Sequence, residues 1–224
     1  MWRKTLSATA LVGLLAFSAE AGVIFSNGGP DPNRGWPYSD FDFPAEIADD
    51  FVLAPASNVV RDVHWWGRYG SRDVAPASDN FAIRIFADAA GRPAADPLHT
   101  AALLAPVTRT LIEDPAGTQW TTYFAYDAAI SPIALAADTT YWLSIVNDTA
   151  PAVADWLWAS TTTDGRATFR DDPSDSWSSF EPQQAFELTD SGTAIPAPAT
   201  ALLLGLASAA LAVTRRSAPP RPHA

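Results

Sequence analysis

Phe81-Ala82-Ile83-Arg84-Ile85-Phe86 and Tyr141-Trp142-Leu143-Ser144-Ile145-Val146 decide how this chain is read. In the first run Phe81, Ile83 and Ile85 oppose Ala82, Arg84 and Phe86; in the second Tyr141, Leu143 and Ile145 oppose Trp142, Ser144 and Val146. Side chains that alternate with period two lie on opposite faces of an extended strand, so both runs are predicted strands. Working outward, further strands are predicted at 22–26, 47–53, 59–69, 101–112, 120–127, 155–160, 167–170 and 184–188. Each is bounded by Gly, Pro, Asn or Asp, as in Asn27-Gly28-Gly29-Pro30, Gly91-Arg92-Pro93 and Asp164-Gly165. About ten short strands with regular turn signals and no long amphipathic helix predict an all-β, antiparallel β-sandwich, jelly-roll-like, over residues 22–193.

The two ends read differently. Residues 1–21 open on Arg3-Lys4, continue through an apolar stretch from Leu6 to Phe17 and close on Ala19-Glu20-Ala21. That order predicts a secretory signal peptide handled by signal peptidase, with Ala19 and Ala21 flanking the exit and Gly22 as the mature N-terminus. At the other end, residues 199–214 carry no charge and are stopped by Arg215-Arg216. As a helix this run spans roughly 24 Å, a little under the roughly 30 Å hydrocarbon core, which local thinning and arginines reaching for the headgroups accommodate. A transmembrane helix is predicted there, with the basic tail 215–224 cytoplasmic and residues 22–193 outside.

Ile195-Pro196-Ala197-Pro198-Ala199-Thr200, then an Ala/Leu/Gly helix, then an Arg pair, resembles the PEP-CTERM sorting signal of exported proteins of Gram-negative bacteria. The resemblance covers residues 194–224. It implies recognition at the inner membrane by an exosortase, a membrane protease or transpeptidase. It further implies a membrane-anchored precursor delivered to the cell surface or an exopolysaccharide matrix. Pro196, Pro198, Ala199 and Thr200 take the motif positions, and Arg215 and Arg216 take the basic stop. Ala197 stands where the family usually carries Glu, and the tail runs on from Ser217 to Ala224. In the middle of the chain, Ala48-Asp49-Asp50-Phe51, Trp65-Trp66-Gly67, the run from Ile83 to Asp88 with Gly91-Arg92-Pro93, and Tyr141-Trp142-Leu143-Ser144-Ile145 resemble landmarks of a β-sandwich domain frequent in secreted bacterial proteins with this anchor. That resemblance implies the fold and no particular activity.

Composition narrows the chemistry. The 224 residues carry 14 Lys plus Arg, 25 Asp plus Glu, and no cysteine. Between Gly22 and Thr193 stand nine arginines, no lysine and 24 acids, a net charge of −15, which disfavours nucleic acid as a partner and offers oxygen ligands to cations. The lack of cysteine excludes disulfides, thiol nucleophiles and thiolate metal sites. There is no Gly-x-Ser-x-Gly elbow and no His-Glu-x-x-His pattern. His64, in a predicted strand beside Trp65, reads as structural, since no partner is implied by spacing. Two carboxylates across a cleft would suffice for glycoside hydrolysis, but with so many acids no pair can be singled out. Calcium takes about six to eight oxygens. The oxygen-rich turns are Asp31 to Gly35, Asp49-Asp50, and Asp164-Gly165 to Asp175, with Asp171, Asp172 and Asp175 as candidate ligands; the competing reading is solvated turns in which Asp caps backbone amides. Asn147-Asp148-Thr149 fits a glycosylation sequon.

Tryptophan is the remaining handle. Adjacent Trp65 and Trp66 must point to opposite sheet faces, one into the core. Trp142, Trp156 and Trp158 read as core. Trp36, in Gly35-Trp36-Pro37-Tyr38, is the candidate exposed platform for a sugar ring, with Trp65 and Trp66 as further candidates. The expectation is therefore an exported, non-catalytic, structural or adhesive surface protein. The alternative is a carbohydrate-binding module for exopolysaccharide, with or without calcium, and third a polysaccharide hydrolase.

Overall fold

Alternation is carried furthest by the strand Val59–Tyr69, where Val63, Trp65 and Tyr69 are buried between layers while Asp62, His64, Trp66 and Arg68 take the other face. The computed structural model describes residues 22–70, 75–113, 122–148 and 155–190, and every regular element among them is a strand. In chain order these are β1 (Val23–Ser26), β2 (Glu46–Val52), β3 (Val59–Tyr69), β4 (Phe81–Ala87), β5 (His99–Thr100), β6 (Thr108–Glu113), β7 (Thr122–Ala134), β8 (Thr140–Asn147), β9 (Trp156–Trp158), β10 (Ala167–Arg170), β11 (Ser178–Phe180) and β12 (Phe186–Thr189). They form two sheets. One runs β1-β12-β3-β7-β6, with β9 also on β3; the other runs β11-β10-β2-β8-β4-β5. All ten pairings are antiparallel. On one edge of β3, β12 pairs with Asp62 to Trp65 and β9 with Gly67 to Tyr69.

The sheets close on a shared core. Val60, Val63, Trp65, Tyr126 and Ile130 from the first meet Ile47, Phe51, Ile83, Ile85, Leu143 and Ile145 from the second. Each such apolar side chain contributes about 1.5–3 kcal/mol when buried. The indole of Trp65 stacks on Tyr126 at 5.4 Å, and Phe81 stands edge-on to Trp156 at 5.0 Å, the geometry that aromatic quadrupoles favour. The fold is all-β, sandwich-like and antiparallel.

Three strand boundaries differ from the sequence reading, each for a physical reason. Of the predicted strand 101–112 only the part from Thr108 on is regular, as β6 of the first sheet, while the short β5 just before it belongs to the second. The segment between them changes sheets, since Ala101 N donates to Ile83 O and Leu104 N to Ala129 O. The predicted strand 120–127 runs on to Ala134. Pro132 is tolerated because the register slips there, two steps on β3 from Val60 to Asp62 answering four on β7 from Ile133 to Ala129, so its missing N–H interrupts no regular ladder. The three-residue β11 is too short to show alternation. The predicted signal peptide with Ala19 and Ala21, and the sorting segment with Pro196, Pro198, Ala199, Thr200, Arg215 and Arg216, lie outside the described residues. Among the described residues no helix is long and apolar enough to cross a membrane.

Candidate functional site

At the β11 edge of the second sheet, strands β2, β10 and β11 and the approach to β2 leave a groove of about 350 Å³, lined by Pro37, Tyr38, Phe43, Ala45, Ile47, Phe169, Asp171 and Phe180. Local pairing places these side chains. Phe169 faces Ile47 across the β10–β2 ladder, and Ala167 pairs with Phe180 across β10–β11. Tyr38 and Phe43 lie ring against ring at 4.3 Å, and Phe169 meets Phe180 edge-on at 5.9 Å. The loop between Tyr38 and Phe43 is held by the buried Asp40, whose carboxylate accepts from Trp156 N at 2.8 Å and Asp42 N at 3.1 Å. Phe43 is 46% exposed. The groove is apolar, aromatic and rimmed by one exposed carboxylate, Asp171.

Trp36 does not serve as the platform expected of it. It is only 7% exposed and packs with Leu157, Ala159 and Ala185, its Nε1 donating to Asp31 O at 3.0 Å. The loop turns the indole inward and leaves Tyr38, two residues on, at the groove. Trp65 fills the core, and the half-buried Trp66 packs against the Trp36 cluster, so the adjacent pair does split between faces. Trp156 and Trp158 are core, while Trp142 lies in a smaller cluster with Ala48, Phe86 and Trp177. None of the three Trp residues offered as ligand-binding lines the groove. The residues that do, Tyr38, Phe43, Phe169 and Phe180, carry no sequence signal beyond being aromatic.

The acidic turns resolve individually. Asp171, Asp172 and Asp175 are all exposed. Asp172 caps its own turn, accepting from Ser174 N at 2.8 Å and Ser174 Oγ at 2.7 Å, and these bonds hold its carboxyl below the usual range. Among the described residues that turn gathers no three ligand atoms within reach of one ion. Asp31 caps Asn33 N at 2.9 Å and faces Arg34. Asp49 is buried, and burial raises it well above the carboxylate range although Gln184 N, Asp50 N and Asn27 Nδ2 all donate to it. Asn147 is buried too, its Nδ2 donating to Tyr69 Oη at 2.9 Å, so it is no exposed glycan acceptor. Glu46 ties four strands together: it accepts from Arg170 at 2.6 and 2.8 Å, Arg84 at 3.0 Å and Ser144 at 2.8 Å. A second hollow of about 420 Å³ is lined by Asp79, Asn80 and Arg109 among others; there Arg109 is ion-paired with Asp79, which also accepts from Tyr69.

His64 has partners that spacing did not show. The ring is 6% exposed, with Nδ1 2.9 Å from Asp127 Oδ2 and Nε2 3.0 Å from Asp62 Oδ1. Asp62 shares its face of β3, and the register sets Asp127 of β7 directly opposite. Burial opposes the charged ring, but the two carboxylates outweigh it and push His64 up to about 9. Among the described residues these three form the group whose metal-competent atoms lie within 4.8 Å of one another.

The family model described as a domain of unknown function (DUF7901) matches residues 25–200, most of the chain, so the chain belongs to that family. No curated protein and no solved structure matches it.

Proposed function

We propose that this member of the DUF7901 family is an exported, non-catalytic surface or matrix protein that adheres to an extracellular polysaccharide through the aromatic groove at Tyr38, Phe43, Phe169 and Phe180. The observation that carries the reading is that groove: rings presented at a sheet edge offer flat apolar faces to the C–H faces of sugars, and the exposed Asp171 offers an acceptor for hydroxyls. The internal engagement of Asp40, Glu46 and Asp49 agrees with it, since these buried carboxylates serve the frame. In this reading the sandwich is jelly-roll-like. Residues 1–21 are removed as a signal peptide, and residues 194–224 form the sorting segment that an exosortase receives at the inner membrane. Calcium is not needed by this groove, whose only acidic lining residue is Asp171.

Affinity electrophoresis through gels containing the producing cell's purified exopolysaccharide tests adhesion. The wild-type protein is expected to be retarded with or without chelator, and Phe43→Ala to bind about tenfold more weakly, ~1.4 kcal/mol. Equal mobility of the folded wild type in gels with and without polymer removes the proposal. Intact mass of the cell-surface material tests export separately: a chain starting at Gly22 is expected, whereas untrimmed protein confined to the cytosol rejects that part.

A further inference from the structure

We propose that Asp62 and His64 bind one divalent transition-metal ion, with Asp127 as the residue that positions the histidine. The site lies on the sheet that β3 and β7 share, and nothing in it depends on the aromatic groove. Asp62 is 1% exposed, and Asp62 Oδ1 and His64 Nε2 face each other at 3.0 Å. That is hydrogen-bond length, yet the ring N–H direction misses the oxygen, so neither buried atom has a partner of hydrogen-bond geometry. The charged ring therefore pairs with Asp62 by charge without an aligned hydrogen bond, and an ion that displaces the ring proton would give both buried atoms a directed partner.

The geometry points to a cation. Two ligands each about 2.1 Å from a metal stand about 3.0 Å apart at an octahedral ion and about 3.4 Å apart at a tetrahedral one, so zinc is taken with an opening of a few tenths of an ångström. An imidazole nitrogen with one carboxylate oxygen suits zinc, manganese, nickel or cobalt. Calcium prefers an all-oxygen shell at longer distances. The other ring nitrogen lies 2.9 Å from Asp127 Oδ2, the carboxylate–histidine–metal arrangement in which an outer acid fixes the tautomer that frees Nε2 for the ion. Chain architecture builds this: two-residue alternation puts Asp62 and His64 on one face of β3, and the ladder sets Asp127 opposite His64. Asp127 is 27% exposed in its side chain, which gives the ion and its remaining water ligands a way in.

Chelator-treated full-length protein, purified in detergent, is titrated with Zn²⁺, and in parallel with Ca²⁺ and Mg²⁺, by calorimetry and metal analysis. One equivalent of Zn²⁺ is expected and no uptake of Ca²⁺ at the same concentration. Asp62→Asn and His64→Gln should abolish uptake, Asp127→Asn should weaken it about 10–100-fold, and His99→Gln should leave it intact. Absence of Zn²⁺ uptake by the wild type, or equal uptake by His64→Gln, overturns the proposal. Should the core variants fail to fold, Co²⁺ added to wild-type protein with ¹⁵N-labelled histidine decides: paramagnetic shift or broadening of the His64 ring at one equivalent supports the site. An unaffected His64 ring overturns it.

Discussion

Replacing Gly67 by Ala sets two opposing effects of known size against each other. Gly67 has an ordinary extended backbone, since it is absent from the residues with positive φ, so glycine is not required there by conformation. In a strand, Ala restricts the unfolded chain more than Gly and would stabilise by about 0.4–1 kcal/mol. Against this, a Cβ at Gly67 falls 2.3 Å from Trp156 Cζ2, 2.5 Å from Cε2 and 2.6 Å from Nε1. The indole cannot retreat. It is fully buried, edge-on to Phe81 at 5.0 Å and Tyr126 at 6.0 Å, with Trp158 at 6.5 Å, and its own backbone N–H is bonded to Asp40. Overpacking of this kind costs about 1–3 kcal/mol or more, so the clash wins and Gly67→Ala should destabilise. At about 2–4 °C per kcal/mol for a domain of this size, Tm should fall by roughly 2–12 °C, with a matching drop in the urea midpoint. Repeating the change in a Trp156→Phe background, where much of the offending ring is gone, should recover most of the loss. A Gly67→Ala protein that melts at or above wild type, or an equal loss in both backgrounds, would refute the reasoning.

Three further expectations rest on named contacts. Glu46→Ala strands Arg170, itself 3% exposed, and should cost about 3–5 kcal/mol in urea denaturation; Glu46→Leu combined with Arg170→Met should cost less, because the buried Arg170 charge goes with its partner and only the more exposed Arg84 loses an ion pair. Burial raises Asp49 above its unfolded value of 3.8. Its contribution to stability is therefore full below about pH 4 and is lost as pH rises through the folded value; stability measured from pH 3 to pH 8 should show Asp49→Asn gaining on wild type with increasing pH, and a constant difference would contradict this. Trp36→Ala should destabilise by about 3–5 kcal/mol while the folded fraction keeps its retardation by polysaccharide, since Trp36 packs inside rather than lining the groove; selective loss of retardation with unchanged stability would restore the indole as the platform.

What the chain alone determined is the information that stays local. Alternation at Phe81 to Phe86 and at Tyr141 to Val146 is a property of consecutive residues, because the pleat sends neighbours to opposite faces whatever the strands pair with. That is why most of the strands, the antiparallel sandwich, and the opposite facing of Trp65 and Trp66 could be read before any coordinates. The sites could not. Trp36 and Tyr38 are equally aromatic and two residues apart, and the turn fixed by Asp40 and Trp156 decided which one is swallowed and which reaches the groove. The turn at Asp171, Asp172 and Asp175 looked rich in metal ligands because its acids are close in sequence, yet short-range capping uses Asp172 locally. His64 looked solitary because Asp127 is far along the chain and arrives only through the β3–β7 register, where it joins Asp62, which two-residue alternation already sets on the face of His64. Periodicity encodes which face a side chain takes; which other side chain waits on that face is set by long-range pairing, and only the tertiary structure carries it.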